Sequence, residues 1–164
     1  MYRTGHWGAA LLAYAPLGFV VFVAGFQWLA GVGGACAIAL GTLPDIDHRL
    51  PGVAHRGPTH TVWFALLVGL VVGVGAVVVV GRGAVAGLGV FLFAFLVATV
   101  SIVSHIGADA LTPMGITPFV PLSDDHYTYD VTPAKNPLAN ALLLGVGVAA
   151  TGVALAAALW ITGG

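Results

Sequence analysis

Residues 61–104 read TVWFALLVGLVVGVGAVVVVGRGAVAGLGVFLFAFLVATVSIVS, a stretch in which Arg82 is the one charged side chain. At ~1.5 Å rise per residue, each half of it can cross the ~30 Å hydrocarbon layer of a bilayer as a helix. The Gly81-Arg82-Gly83 step supplies a tight polar turn between the halves. The Val-rich run at residues 77–80 favours strand on propensity alone, but its length and surroundings favour a lipid-facing helix.

The same reading extends in both directions. No Asp, Glu, Lys or Arg lies between Arg3 and Asp45, which leaves room for two more spans divided by a turn near residues 25–27. Helices are therefore predicted over residues 8–26, 28–43, 61–81, 84–110 and 138–161. The second of these is short enough to be upright or partly re-entrant. With 59% apolar and 7% charged residues, the 164-residue chain has too little polar surface to cover a soluble core. The predicted fold class is all-α, a polytopic membrane helix bundle forming one domain over residues 1–164. The many Gly and Ala residues suit close helix contacts in lipid, where hydrophobicity gives little drive between helices.

A formal charge of -1 and the lack of a basic patch give no reason to expect nucleic acid. The single cysteine, Cys36, can form neither an internal disulfide nor a multi-thiolate metal site. A cleaved leader is not expected, because the first apolar run is too long and similar runs recur along the chain.

Five spans put residues 1–7, 44–60 and 105–137 on one face, and every Asp and every His in the sequence falls in those segments. Arg3, Arg49, Arg56 and Lys135 share that face against Arg82 on the other. The positive-inside rule then makes the polar face of this multi-pass membrane protein cytoplasmic.

That face holds a constellation with metal-binding chemistry. In LPDIDHRLPGVAHRGPTH (43–60), Pro44 ends the second helix and leaves Asp45 and Asp47 two apart. An extended segment there would point both carboxylates the same way. Gly57-Pro58 is predicted to start the third helix with His60 in its first turn, where the helix dipole favours neutral imidazole, the metal-binding form. In SHIGADALTP (104–113), His105 and Asp109 are four apart on one helix face, with Pro113 ending the helix at the membrane boundary. His6, at the mouth of the first helix, reaches the same level.

Imidazoles and carboxylates together form a mixed N/O site for a divalent metal, zinc first and manganese or iron(II) next. The candidate metal ligands are Asp47, His60, His105 and Asp109, with His6 completing or adjoining the shell. Asp45 is assigned as base or further ligand, and Arg56 as holder of an anionic substrate group. The SDDHYTYD stretch (123–130) reads either as a solvated loop with interfacial tyrosines or as a second ligand cluster. Asn136 and Asn140, beside Pro137, are expected to start the fifth helix and satisfy its backbone groups.

The order of His6, LPDID, HRGPTH and HxxxDALTPxG (105–115) resembles the YdjM-like family of inner-membrane metal-dependent hydrolases. A looser similarity, through Asp47, His60, His105 and Asp109, runs to the metal-site order of zinc-dependent phospholipase C and P1-type nucleases. Those enzymes use further His and Glu ligands, and this chain has no Glu. The resemblance implies hydrolysis of a phosphoester or ester at the lipid headgroup level, with membrane lipid as partner and possible substrate. Two alternatives from other classes are a metal-ion transporter and a membrane scaffold with a structural metal. The one-sided placement of the ligands and the lack of a detectable repeat weigh against transport.

Overall fold

In the computed structural model, which describes residues 1–80 and 83–163, five helices are long and apolar enough to cross a membrane. The α-helices are α1 (Arg3–Val23), α2 (Gln27–Leu40), α3 (Val62–Val80), α4 (Ala84–Ala110) and α5 (Pro137–Thr162), and α2 reaches spanning length only together with the 3-10 segment after it, as Gln27–Arg49. Two 3-10 segments, Leu43–Arg49 and Pro58–His60, lie between α2 and α3. The Gly81-Arg82 part of the expected turn between α3 and α4 lies outside the described residues.

Helix α1 begins at Arg3 rather than at residue 8, so His6 sits inside its first turns and not at its mouth. No proline falls in residues 3–8 to delay this start. The break between α1 and α2 falls at residues 24–26, where Gly25 takes φ +91, a left-handed conformation that glycine adopts without Cβ strain. The other end of α2 departs from expectation in a way that matters for the site. Residues 43–49 coil into a 3-10 segment with Pro44 in its first turn, whereas an extended segment was expected. At three residues per turn, Asp45 and Asp47 splay to different sides instead of sharing one.

Close backbone approach holds the bundle together. Helices α1 and α5 run parallel, and Gly8 meets the backbone of Leu143 while Gly147 meets that of Gly8, so a Cβ on either glycine would collide with the neighbouring helix. Gly69 and Gly73 on α3 receive Phe95 and Phe91 of the antiparallel α4. Tyr14 of α1 donates its hydroxyl to the Ala30 carbonyl of α2 at 2.7 Å, and its ring fills the space left by Gly33. Contacts of α1 with α2, α4 and α5, and of α4 with α1, α2 and α3, make α1 and α4 the centre of the bundle.

The outer faces of α3 (Leu67, Val71, Val78) and α5 (Leu142, Val146, Val153) are exposed apolar surface, as lipid requires. Exposed Phe26, Trp28 and Trp160 mark one end of the bundle, and Tyr2, Trp63, Tyr127 and Tyr129 mark the other, two belts at the depths where bilayer meets water.

The polar end is closed by residues 111–136. An isolated antiparallel bridge joins Ile116 to Tyr127, and the amides of Tyr129 and Val131 donate to the carbonyls of Ala110 and Leu111, satisfying the end of α4. Asn136 caps α5 by accepting from the amides of Leu138 and Ala139. Asn140 is fully buried, its Oδ1 accepting from the amide of Tyr2 at 2.9 Å and its Nδ2 donating to the carbonyls of Ala134 and Asn136. The start of α1 is thereby tied to the start of α5.

Candidate metal centre

Three imidazoles converge where the polar ends of α1 and α4 meet the two 3-10 segments. His6 from α1, His60 from the second 3-10 segment and His105 from α4 are all fully buried. The rings of His6 and His105 stack at 3.7 Å, and His60 Nε2 lies 3.1 Å from His105 Nε2. Two carboxylates complete the set. Asp109 Oδ2 is 3.4 Å from His60 Nε2 and 3.6 Å from His105 Nε2. Asp45 Oδ1 is 3.6 Å from His105 Nε2 and 3.9 Å from His60 Nε2. His6 Nε2 is 3.7 Å from Asp109 Oδ1 and 3.9 Å from Asp45 Oδ2.

The polar atoms behind this ring of donors set which atoms face inward. His105 Nδ1 lies 2.8 Å from the Gly41 carbonyl, which can only accept, so the ring proton sits on Nδ1 and the Nε2 lone pair faces the centre. His60 Nδ1 lies 3.3 Å from Asp47 Oδ2 and 3.0 Å from Thr59 Oγ1, the same carboxylate-imidazole arrangement that orients metal-bound histidines. Asp47 is itself held by the Arg56 amide at 3.0 Å and by the Thr59 hydroxyl at 3.3 Å. Arg56 adopts φ +59, a left-handed turn that brings its amide round to this carboxylate.

The guanidinium of Arg56 is turned to the far side of Asp109. Its Nη2 donates to Asp109 Oδ1 at 2.9 Å, while Nη1 donates to Thr112 Oγ1 and to the Gly115 carbonyl, each at 2.9 Å. The Met1 amino nitrogen adds a second cation at 3.0 Å from the same Oδ1. Asp109 Oδ1 is thus saturated, and Oδ2 is left facing the imidazoles.

These groups fit a divalent ion. Buried polar atoms are ordinarily hydrogen-bonded, and leaving one without a partner costs on the order of 1–3 kcal/mol. Here both ring nitrogens of His6 and Asp109 Oδ2 are buried without a partner. The separations of 3.1–3.9 Å among the facing atoms bracket the value of about 3.4 Å between ligands held tetrahedrally at roughly 2.1 Å from one ion. His6 with His105 and Asp109, and Asp45 with His60 and His105, each form a group able to hold a metal.

All seven residues singled out from the sequence gather at this end of the molecule, but with a different division of places. Asp45 stands on the Nε2 side among the candidate ligand atoms, and Asp47 stands behind His60 at Nδ1, because the 3-10 turn sends them apart. Arg56 faces Asp109 and not open space. A cleft of about 530 Å³ reaches Asp45 from outside, lined also by Arg3, Thr42, His48 and Arg49. The arginines that face it are therefore Arg3 and Arg49. Asp45, at 24% side-chain exposure, links the buried set to this opening.

The sequence reading passed over Thr59, Thr112 and the Gly41 carbonyl, although both threonines lie inside the motifs it quoted. It left His55 without a role, and in the structure His55 Nδ1 is 3.2 Å from both oxygens of Asp47. In the 123–130 stretch, Tyr127 and Tyr129 pair with backbone near the end of α4, and Asp124, Asp125 and His126 are exposed. Among the described residues, none of that stretch belongs to a group placed to hold a metal.

Comparison with known proteins returned no match among curated proteins and none among solved structures. The family model of the YdjM inner membrane protein matches residues 3–163, and so takes in all five helices and every residue of the buried centre. With its five apolar helices, the chain belongs to the YdjM inner membrane protein family and is a multi-pass protein of that membrane.

Proposed function

We propose that this protein is a metal-dependent hydrolase acting on an ester or phosphoester at the level of the lipid headgroups. The observation that carries the reading is that His6, Asp45, His60, His105 and Asp109 turn nitrogen and oxygen atoms to one small volume, with both His6 ring nitrogens and Asp109 Oδ2 buried there without a partner. Three imidazoles with two carboxylates suit zinc best, with manganese and iron(II) as alternatives. A bound ion would act as a Lewis acid on a phosphoryl or carbonyl oxygen and make water nucleophilic near neutral pH.

The chain's own residues supply the rest. Asp47 and the Gly41 carbonyl hold the two imidazoles in the tautomer that turns Nε2 inward. Arg56 fixes the carboxylate of Asp109. Asp45, the one member of the set open to the cleft, is placed to accept a proton from an entering water as well as to bind the ion. Arg3 and Arg49 give the cleft the positive charge that an anionic substrate would meet. Since the cleft lies at the interfacial end of α1 and α2, a headgroup could reach it without leaving the membrane surface.

A purely structural metal would be equally buried, but it would not need a cleft ending at one of its ligands. The test is hydrolysis of model phosphoesters and of phospholipid vesicles by the metal-loaded protein in detergent or liposomes, with His60→Ala as control. Turnover in the wild type that falls at least about 100-fold in a folded His60→Ala protein supports the reading. Equal turnover in both contradicts it.

A further inference from the structure

A second group of ligand-bearing side chains lies immediately outside the buried set. Asp45, Asp47, His48 and His55 each offer a nitrogen or oxygen within 4.8 Å of the others. They are brought together by the shape of the loop. The 3-10 segment presents Asp45, Asp47 and His48 within one turn, Gly52 at φ +80 reverses the chain, and the rings of His48 and His55 meet face to face at 3.9 Å. Neither imidazole belongs to the buried centre; His55 touches it only through Asp47, whose Oδ2 is also held by the Arg56 amide and the Thr59 hydroxyl.

We propose that Asp45, Asp47, His48 and His55 form a second divalent-cation site, open to solvent, which shares Asp45 with the buried site and makes the centre binuclear. Two features go beyond an ordinary surface ion pair. Asp45 accepts no hydrogen bond from the described residues although it faces imidazoles of the buried set on one side and the second group on the other. A carboxylate with both oxygens uncommitted between two groups of ligands is suited to bridge two ions. Asp47, in turn, spends Oδ2 on the Arg56 amide and on His60, and its Oδ1 has only His55 for company.

The donor set, two imidazoles and two carboxylates, suits manganese(II) or zinc(II) and disfavours calcium, which takes oxygen ligands. His48 lines the same cleft as Arg3 and Arg49, so an ion here would stand between the buried ion and an entering anionic substrate. Two ions at neighbouring positions act together on the attacking and leaving oxygens of a displacement. This inference rests on the buried site of the preceding reading for the shared Asp45, but its own site can fail while that one stands.

The experiment is a count of ions on full-length, tag-free protein in detergent, equilibrated with manganese(II) and freed of excess, combined with electron paramagnetic resonance. The wild type is expected to hold two ions per chain with a spin-coupled spectrum. His48→Ala/His55→Ala, both exposed positions outside the five α-helices, is expected to hold one ion with an uncoupled six-line spectrum. His48→Gln/His55→Gln serves as the milder variant and is expected to behave alike. Saturation of the wild type at one ion, retained in the double variant, overturns the second site and leaves the buried one standing. Two ions in the double variant overturn the assignment of these residues, and no ion in any protein overturns both sites.

Discussion

Asp47 and Arg56 act on the buried centre from behind, through His60 and Asp109. Replacing Asp47 with Asn keeps the shape but removes the charge that holds the His60 Nδ1 proton. Loss of such a partner typically lowers metal affinity about 10–100-fold. A competition titration of Asp47→Asn against a chelator should show that loss with the helical circular dichroism unchanged; wild-type affinity would argue that Asp47 does not orient His60. Arg56→Met leaves Asp109 Oδ1 without its guanidinium and strands Thr112 and the Gly115 carbonyl. Breaking a buried pair from one side costs on the order of 3–5 kcal/mol, so the variant should melt well below the wild type in detergent. An unchanged midpoint would mean that the pair contributes little. At this scale the sequence was partly readable. The four-residue spacing of His105 and Asp109 specifies their shared helix face. The roles of Asp45 and Asp47 did not follow from a two-residue spacing, because that spacing means one face in a strand and different faces in a 3-10 turn. Nor does the residue type of Arg56 reveal which way its side chain turns.

The close parallel approach of α1 and α5 depends on Gly8 and Gly147, and it sets where His6 stands relative to His105. Gly8→Leu would drive a side chain into the backbone of Leu143. Overpacking of a tight contact costs about 1–3 kcal/mol, and here the displaced helix carries a ligand. The expected result is a lower melting midpoint together with weaker metal binding; a change in neither would show that α1 and α5 have room to separate. The existence of the helices was legible, since every apolar run except the short second one matches the bilayer thickness and Gly25 marks the break between the first two. The start of α1 at Arg3 was not, because no capping side chain or proline marks it, and Tyr2 makes no cap hydrogen bond. The pairing of α1 with α5 was equally hidden, as glycines recur in every span and only the structure selects the pair that touches.

For the molecule as a whole, five spans and the excess of Arg and Lys at the polar end predict that this end faces the cytoplasm. In a Cys36→Ser background, Ser123→Cys should resist a membrane-impermeant maleimide in intact cells, and Thr162→Cys should react. The opposite pattern would place the centre on the outer face. The helix-bundle class was legible from composition and length because a bilayer admits few alternatives to it. The convergence of three separate segments on one volume was legible only as a shared face, and its interior arrangement required the structure. The central claim is that this volume binds a metal. Its most direct test is elemental mass spectrometry of detergent-purified protein beside a His105→Ala/Asp109→Ala variant, both checked for helical content. The account predicts at least one zinc or manganese per wild-type chain and none held at the buried centre of the folded variant. A wild type without metal, even after exposure to several divalent ions, would contradict it and leave the cluster as a set of buried polar pairs.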